Sequence, residues 1–171
     1  MKAHMLTMLA LAAASPAAAE VTASTETSFT VTQKLTVAAP PAKVWAALIA
    51  PASWWAAAHS WSGDSANFAF DARPGGCWCE KLPGGGGVEH MRAIFVQPNK
   101  LLRLSGALGP FQAMPVAGVM TYTLEPAADG KSTALTVEYA ISGGTGMARI
   151  APMVDKVLGE QAAGLKAAAE R

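Results

Sequence analysis

The ten residues Thr133-Ala134-Leu135-Thr136-Val137-Glu138-Tyr139-Ala140-Ile141-Ser142, together with the alanine-rich segment from Ala151 to Arg171, decide the fold. In the first stretch Leu135, Val137, Tyr139 and Ile141 fall on one side and Thr136 and Glu138 on the other, the period-2 signature of a strand with one buried face. In the second, Val154, Val157, Leu158, Gln161, Leu165 and Ala168 recur at helical spacing over about five turns. A one-sided strand needs a core, and an amphipathic helix needs a surface for its stripe. Adjacent in the chain, the two predict a helix packed on one face of a sheet.

Working upstream, short strands separated by Gly and Pro are predicted over 67–71, 77–82, 88–97, 101–106 and 116–125, with an Asp129-Gly130 turn before the last strand. Earlier still, 28–37 alternates with Phe29, Val31, Leu35 and Val37 on one face. Pro40-Pro41 then opens a short helix over 42–50, since proline is tolerated in a first helical turn. Pro51 restarts the chain as a second short helix carrying Trp54 and Trp55. The order strand, helix, helix, six strands, long helix predicts an α+β helix-grip architecture. In it a curved antiparallel sheet of about seven strands surrounds the C-terminal helix. A sheet bent around a single helix does not close fully, and an apolar cavity between them is the natural result.

The N-terminus reads as an address. Lys2 and His4 precede an apolar run over 5–14, Ser15-Pro16 breaks it, and Ala17-Ala18-Ala19 supplies a small-residue cleavage pattern. Residues 1–19 are therefore expected to be a signal peptide with Glu20 as the mature start, 20–27 a short polar leader, and 28–171 the domain. The run is too short for a stable membrane span, which needs about 20 apolar residues. No cysteine follows the site, which argues against a lipoprotein. The expected location is periplasmic or secreted. Removing 1–19 leaves 171 − 19 = 152 residues, and losing Lys2 leaves 13 − 1 = 12 basic side chains against 12 acidic. A neutral chain lacks the basic surface that nucleic acid or an anionic membrane requires.

The string Leu35-Thr36-Val37-Ala38-Ala39-Pro40-Pro41-Ala42-Lys43-Val44-Trp45-Ala46-Ala47-Leu48, followed by Pro51 and Trp54-Trp55, resembles the opening of the START-like superfamily, also called SRPBCC or Bet v 1-like. The resemblance is nearest to the branch of polyketide-cyclase-like proteins and the activator of heat-shock-chaperone ATPase. The turn Arg73-Pro74-Gly75-Gly76 and the closing helix fit it as well, so that it spans 28–170. It implies the helix-grip fold and a cavity under the long helix. Members bind lipids, polyketides, hormones or other hydrophobic molecules there; a minority are enzymes, and some serve chaperones.

Candidate chemistry gathers at one hairpin, whose strands flank Pro83-Gly84-Gly85-Gly86-Gly87. Pairing Leu82 with Val88 places Glu80 opposite His90 and Trp78 opposite Arg92 on one side. Cys77, Cys79, Met91 and Phe95 then take the other. Turned inward, the first set offers a carboxylate and an imidazole for proton transfer, with Trp78 and Arg92 against a ligand. Turned inward, the second offers three sulfur donors for a soft metal, with Cys77 and Cys79 the ligating pair. No other cofactor is suggested. Two inert buried thiols are the commoner fate of such cysteines, and a Cys77–Cys79 bridge requires a bulge, which Gly75-Gly76 could supply. Trp54, Trp55 and Trp61, with His59 among them, are placed at the cavity mouth or in the core. The apolar connection 107–115, carrying Phe111 and Met114, reads as a lid or a partner-binding patch.

The leading expectation is an exported carrier of a small lipid- or polyketide-like molecule, contacted by Trp54, Trp55, Trp78, Arg92, Phe111 and Met114. Two alternatives stand beside it: a cyclase- or hydrolase-like enzyme using Glu80 and His90, and a metal-handling or protein-interaction module.

Overall fold

A computed structural model describes residues 18–171; most of the expected signal peptide, 1–17, lies outside the described residues. The strands are β1 (Ala18–Ser24), β2 (Ser28–Val37), β3 (Phe68–Phe70), β4 (Cys77–Lys81), β5 (Gly87–Gln97), β6 (Leu101–Ser105), β7 (Ala117–Pro126) and β8 (Thr133–Ser142). They pair antiparallel in one sheet, in the order β1-β2-β8-β7-β6-β5-β4-β3. The helices are α1 (Pro41–Leu48) and α2 (Met147–Glu170). Both alternating runs, 28–37 and 133–142, form strands with the expected bounds, and they pair with each other from Ser28↔Ser142 to Val37↔Thr133. None of the described helices is long and apolar enough to cross a membrane.

Three elements differ from expectation. The polar segment 20–27 contributes an eighth strand: β1 runs to Ser24 and pairs with β2 around a bulge at Thr22. An edge strand is held by backbone hydrogen bonds to one neighbour, so it needs little of the alternation that reveals an inner strand. The second short helix is only a 3₁₀ turn, Pro51–Ser53, with Trp54 and Trp55 following it. Finally, α2 begins about one turn before Ala151. Pro152 lies inside the helix, where it removes one bond to the Ala148 carbonyl. The earlier start is held by the β1–β2 turn. Gly146 is left-handed at the N-cap (φ 76°), its N–H donates to Glu26 Oε1 at 2.7 Å, and the Met147 N–H donates to the Glu26 carbonyl.

The inward faces are continuous across the sheet. Phe29, Val31 and Val37 of β2 and Leu135, Val137, Tyr139 and Ile141 of β8 are buried with Met120, Tyr122 and Leu124 of β7. The two halves of α2 do different work. The C-terminal half presents Leu158, Ala162, Leu165 and Ala169 to this core. It is fastened at its end by the Ala38 N–H donating to Glu170 Oε1 (2.7 Å) and Lys166 Nζ donating to the Thr36 carbonyl (2.9 Å). Midway, Gln33 Nε2 donates to Asp155 Oδ1 at 2.6 Å. The N-terminal half spans the concavity without filling it.

Close approach of α2 to the Trp54 backbone depends on Gly164, where a Cβ would lie 2.5 Å from the Trp54 carbonyl oxygen. Alanine favours a helix interior by about 1 kcal/mol over glycine, but overpacking costs about 1–3 kcal/mol, and a backbone oxygen has little room to yield. Gly164→Ala is expected to lower the urea midpoint of unfolding; a raised midpoint would show that the helix shifts freely.

Candidate functional site

The decisive local feature is a bulge in β5. Trp78 pairs with Met91 but Cys79 pairs with Glu89, leaving His90 as the extra residue. An extra residue resets the alternation of side chains, so His90 and Met91 are both buried. The Leu82–Val88 register does not form: Glu80 lies opposite Val88 and Cys77 opposite Arg92. Trp78 and Glu80 nevertheless point to the core, as the first alternative for the hairpin required. Arg92, expected inside with them, is exposed on the outer face. There it pairs with Glu89 and donates through Nη1 to the Gly75 carbonyl at 2.7 Å.

Cys77 and Cys79 also sit on the outer face, while Met91 is on the inner one, so the three sulfur donors do not share a side. The two cysteines are disulfide-bonded across a Cα separation of 5.4 Å. An unbulged strand would hold these atoms about 6.7 Å apart. The irregularity lies at Trp78/Cys79 against the β5 bulge, not at Gly75-Gly76. The paired sulfurs are neither free thiols nor metal ligands, which corrects both of those expectations. Among the described residues no group of three or more His, Cys, Asp and Glu side chains is placed to hold a metal.

Glu80 is 1% exposed and His90 4%. His90 Nε2 and Glu80 Oε2 are 2.8 Å apart. The carboxylate also accepts from the Trp61 N–H (3.0 Å, Oε2) and the Ser62 N–H (2.5 Å, Oε1). Burial pushes the Glu80 carboxyl up, but the hydrogen bonds from Ser62, the Trp61 N–H and His90 outweigh it and hold the group below its ordinary 4.5. For His90, burial dominates over the raising influence of Glu80 and holds the imidazole below its ordinary 6.5. At neutral pH the pair is therefore a carboxylate and a neutral imidazole. A carboxylate only accepts, so Nε2 carries the ring proton and Nδ1 keeps its lone pair. Phe68 and Trp78 flank the ring at centroid distances of 5.0 and 6.4 Å.

His90 lines a cavity of about 540 Å³ between the sheet and the N-terminal half of α2. The helix supplies Ile150, Met153, Val154, Val157 and Leu158, a stripe at i, i+3, i+4, i+7 and i+8. The connection after β6 supplies Leu108, Gly109, Pro110, Phe111 and Met114. Trp55, His59, Ser60 and Trp61 close the third side. Trp61 is 54% and Met153 64% exposed, which places them at the mouth. There His59 Nε2 lies 2.9 Å from Glu160 Oε2. Tyr139 reaches in from β8. Its hydroxyl accepts from the Leu108 N–H at 3.3 Å, and burial pushes its pKa up to about 12. Gly118 on the neighbouring strand makes room for it, since a Cβ there would lie 2.8 Å from the Tyr139 oxygen.

Of the expected ligand contacts, Trp55, Phe111 and Met114 line the cavity, and Glu80 sits directly behind lining His90. Trp54 and Trp78 belong to the aromatic cluster beside it, with centroids 5.9 Å apart, and Arg92 is remote on the outer face. Tyr139, Ile150 and Met153 were not singled out beforehand. For Ile150 and Met153 the signal was present, as the same helical stripe continued back through Pro152.

Residues 28–170 match the family model described as polyketide cyclase/dehydrase and lipid transport. The chain belongs to this family. Its superfamily is SRPBCC, as the opening string implied. No curated protein matches the chain significantly. Among solved structures it is similar to the Mll3558 protein of Rhizobium loti (24% identity, TM-score 0.59, covering 85% of this chain and 99% of that one). An uncharacterized protein of Rhizobium leguminosarum is also similar (21%, 0.59, 92% and 99%). So is norcoclaurine synthase of Thalictrum flavum (12%, 0.56, 83% and 86%). At these identities the likeness shows the fold, and the family's range covers both transport and catalysis.

The pair has a stability signature. Because folding lowers the His90 pKa, the unfolded chain binds more protons in the window below 6.5, so stability falls as pH drops through it. The lowered Glu80 pKa extends the loss below 4.5. Urea midpoints of the wild type should fall progressively from pH 7 to pH 5. His90→Gln, which keeps a donor for Glu80 but does not titrate, should flatten that decline. An unchanged slope in the variant would assign the loss to other groups.

Proposed function

We propose that the protein is an exported carrier that takes up one small hydrophobic molecule, lipid- or polyketide-like, under the N-terminal half of α2. The observation that carries this reading is the cavity: its size lies within the usual 300–1,000 Å³ of small-molecule sites, and its walls are overwhelmingly apolar side chains. Burial at roughly 25 cal/mol per Å² of apolar surface supplies the driving force. Family membership supports the same reading. Export is supported by the 1–19 sequence pattern and by a disulfide, a bond that persists in oxidising compartments. The protein recovered from an osmotic-shock fraction should have the intact mass of a chain starting at Glu20; a full-length mass in the cytosol would count against export.

The cavity itself is tested with the neutral fluorophore N-phenyl-1-naphthylamine. One equivalent should bind, and Val157→Trp, which fills the space from the helix side, should weaken binding about tenfold or more while the fold, followed by circular dichroism, is kept. Undiminished binding in that variant would place the probe elsewhere.

A second reading is favoured by one specific observation, the fixed tautomer of His90. An unprotonated Nδ1 beside a bound molecule suits proton abstraction, with Glu80 stabilising the imidazolium that forms. That is the proton transfer a cyclase or dehydratase requires, with the proton passing from a C–H or O–H of the guest to Nδ1. The two readings separate on His90→Gln. A carrier keeps its affinity for N-phenyl-1-naphthylamine, whereas an enzyme loses turnover of its substrate at unchanged fold. Glu80 is a poor probe of catalysis, because removing it strands the Trp61 and Ser62 N–H groups and the His90 Nε2–H, and a donor left unsatisfied in the interior costs about 1–3 kcal/mol.

A further inference from the structure

The cavity wall contains a buried imidazole with one nitrogen left free. His90 is nine-tenths and more buried and lines the cavity. Its Nε2–H is committed to Glu80, and its Nδ1 has no hydrogen-bond partner among the described residues. Three other polar groups of the wall are each engaged once. The Ser60 hydroxyl donates to the Ala57 carbonyl (2.7 Å), the Trp55 Nε1–H to the His59 carbonyl (3.0 Å), and the Tyr139 oxygen accepts from Leu108. No lysine or arginine lines the space.

We infer that the guest is a neutral molecule bearing a hydroxyl group, which donates its hydrogen to His90 Nδ1, and that carboxylates such as free fatty acids are excluded. The inference rests on the carrier reading and deepens it. Covered by a guest that has no hydrogen to give, this acceptor is left unpaired at a cost of about 1–3 kcal/mol, and a guest hydroxyl removes that cost. An ether of the same shape does not, because it has no hydrogen to donate. A carboxylate fares worse. It meets a lone pair with the Glu80 charge directly behind it, and no cation in the wall compensates its desolvation. The Tyr139 O–H, whose oxygen already accepts from Leu108, supplies a donor for an oxygen on the guest. The wall thus offers one acceptor and one donor, a set that suits neutral hydroxyl and carbonyl oxygens.

The test uses three probes of matched shape, 2-naphthol, 2-methoxynaphthalene and 2-naphthoate, titrated at pH 7.5 with the quenching of Trp55 and Trp61 fluorescence as readout. The expected result is that 2-naphthol binds about tenfold or more tightly than either of the others. His90→Phe should erase that advantage while leaving 2-methoxynaphthalene affinity within about twofold. Should that variant fail to fold, ¹⁵N-histidine spectra of the wild type give the answer: the His90 Nδ1 resonance moves on adding 2-naphthol and stays on adding 2-methoxynaphthalene. Equal affinity for the naphthol and its ether overturns the inference and leaves the carrier reading standing. Tightest binding of the naphthoate overturns it as well. If none of the three binds, the carrier reading itself fails and the inference with it.

Discussion

A carboxylate sealed among aromatic rings must find donors inside the protein, and Glu80 finds three. Two are backbone N–H groups, of Trp61 and Ser62, and the third is the imidazole of His90. Much of the site follows from this one requirement. The loop that forms one side of the cavity mouth is pinned to β4 through its backbone, so the carboxylate fixes where Trp61 stands. The imidazole is pinned through Nε2, which settles its tautomer. His90 follows Val88, the partner of Glu80, by two residues and so shares its face, and the bulge at His90 then turns Met91 inward as well. Charge burial of this kind is costly, and it is tolerated here because hydrogen bonds meet both carboxylate oxygens.

The cavity arises from a mismatch between the two layers. Along its C-terminal half α2 is drawn close by small residues, Ala162, Ala169 and Gly164, and by contacts from Lys166 and Glu170 to the β2–α1 junction. Along its N-terminal half Ile150, Met153, Val154 and Val157 face the cavity. One helix therefore serves as core at one end and as roof at the other. The family's description spans transport and cyclase or dehydrase activity, and the same scaffold accommodates both: the hollow alone suffices to carry a guest, and a positioned base converts a carrier into a catalyst.

Much of this was legible in the sequence, for identifiable reasons. The one-sided pattern of Leu135, Val137, Tyr139 and Ile141 and the stripe from Val154 to Leu165 follow directly from side-chain geometry, and both elements form as read. The Glu80–His90 pairing was reached through a register that does not exist. A slip of two residues keeps every side chain on its face, so Glu80 and His90 still turn inward together, whereas the bulge reverses the alternation beyond His90 and puts Arg92 outside. Bulges depend on contacts across strands and leave no local mark in β5 itself. The Cys77–Cys79 bond was obscured for the same reason, since strand geometry without the bulge sets those residues too far apart. β1 was hidden by its polarity. The backbone donors on Glu80 come from a loop nearly twenty residues upstream, a relation that no periodicity encodes.

Pro152 and Glu26 together shape the end of α2 that covers the cavity. The opening turn of α2 lacks the hydrogen bond that proline cannot donate, and its polar anchors both come from Glu26 in the β1–β2 turn, the carboxylate on the Gly146 N–H and the carbonyl on the Met147 N–H, with Met147 and Ala151 buried beneath. The same turn carries Ile150, immediately ahead of exposed Met153 at the cavity mouth. The far end of the helix is bolted down. The hollow therefore lies under the end of the helix moored to a turn, and away from the end moored to a strand.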